Sequence, residues 1–300
     1  MFHVRRAAET EPTLPDVYAE HSRGFSRAAL TGRHVGAVHT GFALARLAAG
    51  GRVATHVHSC EESFFVLAGR PLLWLDGRAH RLAPGECGLI GVGVPHAWSA
   101  EQAAEWLEVT APPPRLDGPP DTFFTGERAE FSGAQAVDIR DPRSRVFFRL
   151  DRGAMELDKL KLGAPVDAPT VSASMATALL AYSGIAVKML VDGRLGAVLH
   201  QMFMVEYEPG GVAQPHDHPL EEAYYVLEGE VEAQADDDRF TLRPGDFLWT
   251  AVGCIHAFRN PGPGRVRFLE TQSPQPPGNH SYRFNRDWDY LAERLSPGRP

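Results

Sequence analysis

An internal repeat constrains this chain more than any other feature. Shifting the sequence by 160 residues lays Val35–Ala100 over Leu195–Asn260 without a gap, and 20 of the 66 pairs are identical. Gly50-Gly51 falls on Gly210-Gly211, His56 on His216, His58 on His218, Glu62 on Glu222 and Gly69 on Gly229. Pro84-Gly85 then meets Pro244-Gly245, Gly93 meets Gly253, and His96 meets His256. The chain therefore holds one fold twice, and its 300 residues suffice for two domains of about 150 each.

Within each copy, short aromatic and β-branched runs end at turns. Phe64-Phe65-Val66-Leu67 and Tyr224-Tyr225-Val226-Leu227 each run to a Gly, and Asp76-Gly77 and Asp236-Asp237-Asp238 supply later turns. With 29 Gly and 24 Pro, this pattern predicts an all-β sandwich or small barrel in each half. The Pro-rich stretch 111–120 reads as an extended linker, because consecutive prolines fix φ and donate no amide hydrogen bonds. The expected division is an N-terminal domain over 1–115, a linker and arm over 116–180 and a C-terminal domain over 181–300. Thr170–Tyr182 reads as a short helix and Ile185–Leu190 as a strand entering the second copy.

Composition removes several function classes. A formal net charge of -8 without Lys/Arg clusters argues against nucleic-acid binding. No apolar run approaches the ~18 residues of a membrane span. Cys60, Cys87 and Cys254 are too few and too widely spaced for a disulfide framework or thiolate zinc site. The expectation is a cytoplasmic protein whose partner is a small molecule.

In the second copy His216, His218, Glu222 and Tyr224 share parity, so on extended chain they face one side. His256 follows on a separate strand. A lone buried histidine is ordinarily a hydrogen-bonded core residue, but four ligand types at the same spacings in both copies argue for coordination. His216, His218, Glu222 and His256, and likewise His56, His58, Glu62 and His96, form mixed N/O sets suited to Mn, Fe, Ni, Cu, Co or Zn, one ion per domain. Met202, Met204, Trp249, Cys254 and Phe258 are expected to line the second pocket, and Phe64 and Trp98 the first. Tyr224 is a candidate partner of the Glu222 carboxylate, and these two are the catalytic candidates. Glu61 and Glu221 have the opposite parity and are expected to face solvent; His39 and His200 do not match in register and are not expected to be ligands.

The Gly, His-x-His, Glu, Gly run and the later Gly, Pro, Gly, His, Asn run resemble the two motifs of the cupin superfamily. The second copy keeps nearly all of both, with Ala251 where Pro is usual; the first has Gly91 there and Ala100 in place of Asn260. The resemblance implies a bicupin, with two double-stranded β-helix (jelly-roll) barrels in tandem, a few short helices and a divalent transition metal in each barrel. The second site is the better match. For reaction it leaves alternatives open, since fold does not fix function. The leading expectation is an O2-dependent dioxygenase, from an apolar lining and a similarity to bacterial quercetin dioxygenases. The alternatives are a redox-neutral aminohydrolase, decarboxylase or isomerase, with a fainter likeness to ureidoglycine aminohydrolase at Asn285-Arg286-Asp287, and a non-enzymatic binding protein. Monomer and homodimer both fit, with Ser281–Leu295 as a docking segment or short helix.

Overall fold

The computed structural model describes residues 1–115, 120–139, 141–150, 182–275 and 283–284. The N-terminal strand β1 (Phe2–Arg5) leads into the first half, whose strands are β2 (Ser22–Thr31), β3 (Gly41–His58), β4 (Glu61–Ala68), β5 (Leu72–Leu75), β6 (Arg78–Arg81), β7 (Glu86–Ile90), β8 (His96–Ser99), β9 (Ala104–Ala111), β10 (Thr122–Phe124), β11 (Gln135–Ala136) and β12 (Phe147–Arg149). They form one sheet in the order β11-β6-β5-β8-β3-β9-β4-β7-β12, with β2 and β10 also paired to β3. The second half contains β13 (Tyr182–Val191), β14 (Gln201–Asp217), β15 (Glu221–Glu228), β16 (Val231–Ala235), β17 (Asp238–Leu242), β18 (Phe247–Thr250), β19 (His256–Arg259), β20 (Val266–Ser273) and β21 (Arg283–Phe284). Its order is β1-β18-β15-β20-β14-β19-β16-β17, with β13 and β21 on β14.

The repeat extends beyond the sequence alignment. Pairing of β2 on β3 and β13 on β14 sets Arg27 opposite Ala45 and Val187 opposite Val205, and both ladders break register at a positive-φ glycine, Gly24 and Gly184. β9 and β20 also correspond, shifted by two further residues: Ala43 opposes Glu108, and Phe203 opposes Glu270. Gly69 and Gly229 recur for a steric reason. Both have positive φ, and a Cβ on either would collide with a carbonyl on the neighbouring turn, that of Ala103 or Arg265.

Two boundary expectations change. β1, assigned to the N-terminal domain by sequence position, pairs with β18 in the second sheet, while residues 122–149, read as linker and arm, give three strands to the first. Among the described residues the only helical pieces are four three-residue 3-10 turns, and none could cross a membrane. The expected helix at Thr170–Tyr182 lies outside the described residues, except that Tyr182 opens β13; the docking tail lies outside them apart from β21.

Alternation along the strands divides the apolar residues into three clusters. One fills the first barrel with Leu47, Val53, Phe64, Trp98 and Trp106, and another fills the second with Val205, Tyr224, Leu248, Phe258 and Phe268. The third joins the barrels: Leu30, Phe42, Leu44 and Leu107 from the first meet Leu190, Met202, Met204, Phe247 and Trp249 from the second.

Two carboxylates at this junction correct another expectation. Glu61 and Glu221 are 2% and 3% exposed rather than solvent-facing. Glu221 accepts the backbone N–H groups of Val38, His39 and Thr40 at 2.7, 3.1 and 2.9 Å. Reciprocally, Glu61 accepts those of Val198, Leu199 and His200 at 2.9, 3.1 and 3.4 Å. Each barrel thus satisfies a loop of the other. Replacing Glu61 or Glu221 with Ala strands three backbone donors, one of them buried and two part-buried, and is expected to cost about 2–4 kcal/mol in urea unfolding. A loss below about 1 kcal/mol would contradict this role.

Candidate metal centres and their surroundings

His56 and His58 lie at the end of β3, Glu62 on β4 and His96 at the start of β8, where His96 pairs with His56. In the second barrel His216 lies on β14, His218 just beyond it, Glu222 on β15 and His256 on β19 opposite His216. Each histidine trio is buried, and its ligand atoms lie within 4.8 Å of one another. Ring centroids are 4.1 Å apart for His56 and His96 and 4.3 Å for His216 and His256.

Tautomers follow from the backbone. Nδ1 of His56, His96, His216 and His256 lies 2.7–3.0 Å from the carbonyl two residues earlier, Ala54, Val94, Gln214 and Cys254 respectively. A carbonyl only accepts, so Nδ1 carries the proton and Nε2 keeps its lone pair. His96 Nε2 is buried without a hydrogen-bond partner in the structure, a cost that coordination would remove. Burial, reinforced by neighbouring histidines, pushes His56 and His216 well below the usual histidine range. Burial likewise lowers His96 to about 4. These are neutral imidazoles at pH 7, as metal binding requires. The donor set fits a divalent transition metal in each domain.

A glutamate adjoins each histidine trio. His58 Nε2 is 3.0 Å from Glu62, while His218 and His256 Nε2 lie 2.9 and 3.1 Å from Glu222. Burial alone would raise Glu222, but the His218 and His256 interactions outweigh it and hold the carboxyl well below its usual range. Tyr224, a sequence candidate, donates its hydroxyl to Glu222, and Gln272 donates from Nε2 to the other oxygen.

The expected pocket residues divide. Phe258 packs on Tyr224 at 4.6 Å inside the second barrel with Cys254, and Phe64 meets Trp98 edge-on at 5.2 Å inside the first. Met202, Met204 and Trp249 instead face the other barrel. Their strand positions alternate with Phe203, Val205 and Leu248, which point inward. Sequence reading also missed Tyr18, Arg27, Glu108 and Thr122 beside the first trio and Gln272 and Glu270 beside the second. Arg27 and Tyr18 precede the aligned window, and Glu108 matches Glu270 only after a two-residue shift. His200, not expected to be a ligand, is buried between Glu61 at 2.8 Å and Ser63 at 2.8 Å.

The depressed histidines give a pH prediction. Between an unfolded pKa near 6.5 and the folded value of about 4 for His96, the unfolded chain binds the proton and the native chain does not, so stability is present above about pH 6.5 and lost as pH falls through this window. Urea unfolding of chelator-treated protein at several pH values should show this loss, with His96 contributing on the order of 3 kcal/mol. His96→Asn should give a shallower slope; an unchanged slope would contradict the assignment.

Comparisons with known proteins agree with this architecture. The cupin domain family model matches residues 43–110 and 203–271. The polyketide synthase CurC of Streptomyces cyaneus is 32% identical over 90 residues, 30% of this chain and 58% of that protein. A germin-like protein of Arabidopsis thaliana, subfamily 2 member 2, is 34% identical over 83 residues, 26% of this chain and 38% of that one. The chain therefore spans less than two thirds of the length of both curated relatives. Among solved structures, oxalate decarboxylase from Bacillus subtilis superposes with a TM-score of 0.61 at 17% identity, covering 99% of this chain and 83% of that one. A glyoxylate-induced protein of Pseudomonas aeruginosa, itself described as putative, gives 0.58 at 18%, covering 91% and 87%. With one cupin domain in each half, the chain is a bicupin of the cupin superfamily.

Proposed function

We propose that this bicupin is a metal-dependent enzyme that performs redox-neutral chemistry, such as decarboxylation or isomerisation, on a small molecule bearing a carboxylate or carbonyl. One observation carries the choice over an O2-dependent reaction: the groups around both histidine clusters are protic and hydrogen-bonding. In the second barrel Tyr224 and Gln272 donate to Glu222. In the first, Thr122 Oγ1 lies 3.1 Å from His58 Nδ1, and Arg27 pairs with Glu108 in the same interior. Three of the apolar residues on which a dioxygenase reading relied, Met202, Met204 and Trp249, pack between the barrels instead.

His56, His58, Glu62 and His96 would hold one metal, and His216, His218, Glu222 and His256 the other. When bound, such an ion polarises a carbonyl or carboxylate oxygen as a Lewis acid. The chain's own groups supply the rest. Backbone carbonyls fix four of the six imidazoles, those of His56, His96, His216 and His256, in the Nε2-lone-pair form. In the second barrel, burial and the Glu222 charge raise the Glu270 carboxyl well above its usual range, which leaves Glu222 as the charged carboxylate beside that trio. The solved Bacillus subtilis enzyme of similar fold is a decarboxylase studied through its Mn(II) centres, which supports a reading of this class.

The test is turnover of a panel of keto acids, dicarboxylates and enediols, followed by NMR with and without oxygen. Turnover that is lost on chelation, restored by metal and indifferent to anaerobic conditions is expected. Oxygen uptake matching product formation would replace this reading with the dioxygenase, and turnover surviving chelation would remove the metal from the chemistry.

A further inference from the structure

The two barrels share their ligands but differ around them. In the second, the inward positions of β14 are Gln201, Phe203 and Val205, and Val187 of β13 lies opposite Val205. A chain of side-chain bonds closes this interior: Gln201 Nε2 donates to Gln272, Gln272 Nε2 to Glu222, and Tyr224 to the other Glu222 oxygen. Both oxygens of the ligand carboxylate are thereby engaged from within the fold.

The corresponding first-barrel residues are Gly41, Ala43 and Ala45 on β3, Thr110 in place of Gln272, Phe64 in place of Tyr224 and Arg27 in place of Val187. None of the closing bonds can form. Thr110 is 4% exposed, and its Oγ1 has no hydrogen-bond partner. Arg27 lies opposite Ala45 of β3; its Nε donates to Glu108 at 2.6 Å, while Trp106 Nε1 holds the other Glu108 oxygen at 3.2 Å. Among the described residues only the Nε of Arg27 is engaged, so the Nη ends of its fork remain available. Glu108 opposes Phe64, and Thr110 opposes Glu62, which sets the ion pair one inward step, roughly 7 Å along the strand, from the ligand carboxylate.

Aromatic residues pack over one end of this barrel's histidine trio. Tyr18 stands edge-on to His56 with centroids 5.7 Å apart, and Phe124 lies 5.4 Å from His56. Exposed His21 stacks on Phe124 at 3.9 Å. A row of aromatic rings thus leads from the surface to the first histidine trio.

From this asymmetry we infer that the first barrel is the substrate-binding one and that its ligand is a small carboxylate anion received by the Arg27 guanidinium, the second barrel holding a closed, structural site. The inference rests on the metal-dependent reading above and adds to it the barrel, the ligand charge and the residue that selects it. Arginine suits this role because its planar fork can bind Glu108 through Nε and still present two donors to a second carboxylate. Val187 offers the second barrel no such group.

Titration calorimetry on the metal-replete protein tests the inference, with acetate, pyruvate and malonate as probes and acetamide and chloride as controls at equal ionic strength. Saturable binding of at least one carboxylate, but not of the controls, is expected. The double variant Arg27→Gln with Glu108→Gln removes both buried charges together; it should keep two metals per chain and bind the carboxylate at least about ten-fold more weakly. Arg27→Lys, which keeps the charge but loses the fork, should give a smaller loss. His216→Ala with His218→Ala should lose one metal and leave carboxylate binding within about two-fold. The inference is overturned if no probe binds wild type saturably, if the Arg27 variants bind as wild type does, or if binding disappears with the second-barrel histidines. Failure of the metal-dependent reading has a separate signature, because wild type would then lack metal whatever it binds.

Discussion

Glu61 and Glu221 each stand one residue before a candidate ligand, Glu62 or Glu222, and on a β-strand adjacent side chains leave opposite faces. One carboxylate therefore reaches the loop of the neighbouring barrel while the next turns into its own barrel's interior. This shared step fixes the register between interface and site. A one-residue slip of β4 or β15 would bury the interface carboxylate in the barrel and withdraw the ligand from its histidines. The three N–H groups gathered by each Glu make such a slip costly, so the junction and the two centres are specified together.

Within that frame the interiors have diverged. The second barrel spends its polar groups on itself, with Gln201, Gln272 and Tyr224 leading to Glu222. The first exchanges these for small residues, a phenylalanine and a half-buried arginine, and leaves Thr110 Oγ1 without a partner. A buried hydroxyl without a partner is costly in any fold, and Thr110, opposite Glu62, is readily understood at a site that completes itself with a ligand. The better motif match thus belongs to the more self-contained barrel, while the poorer match, with Gly91 and Ala100, surrounds the more open chemistry.

Much of this was legible in the sequence. The repeat identified two like barrels, and the spacing of His56, His58, Glu62 and His96 and of their counterparts identified both histidine clusters, because ligands on one strand obey parity. Parity failed where a strand is buried on both faces. Glu61, Glu221, Met202, Met204 and Trp249 were assigned from one face alone, and a partner barrel covering the other face cannot be read from alternation. Arg27 was invisible for another reason: its counterpart is Val187, so a search for repeated residues passes over the position that distinguishes the copies. Glu108 was hidden by the two extra residues around Pro261-Gly262-Pro263-Gly264 that displace β20 from the repeat.

The central claim, two metal centres in one chain built from matched histidine trios, is tested most directly by anomalous X-ray diffraction at the absorption edge of whichever metal the purified protein carries. The account predicts two peaks, one enclosed by Nε2 of His56, His58 and His96 with Glu62, the other by Nε2 of His216, His218 and His256 with Glu222. Anomalous peaks at neither trio in metal-replete crystals, or at surface residues alone, would contradict it.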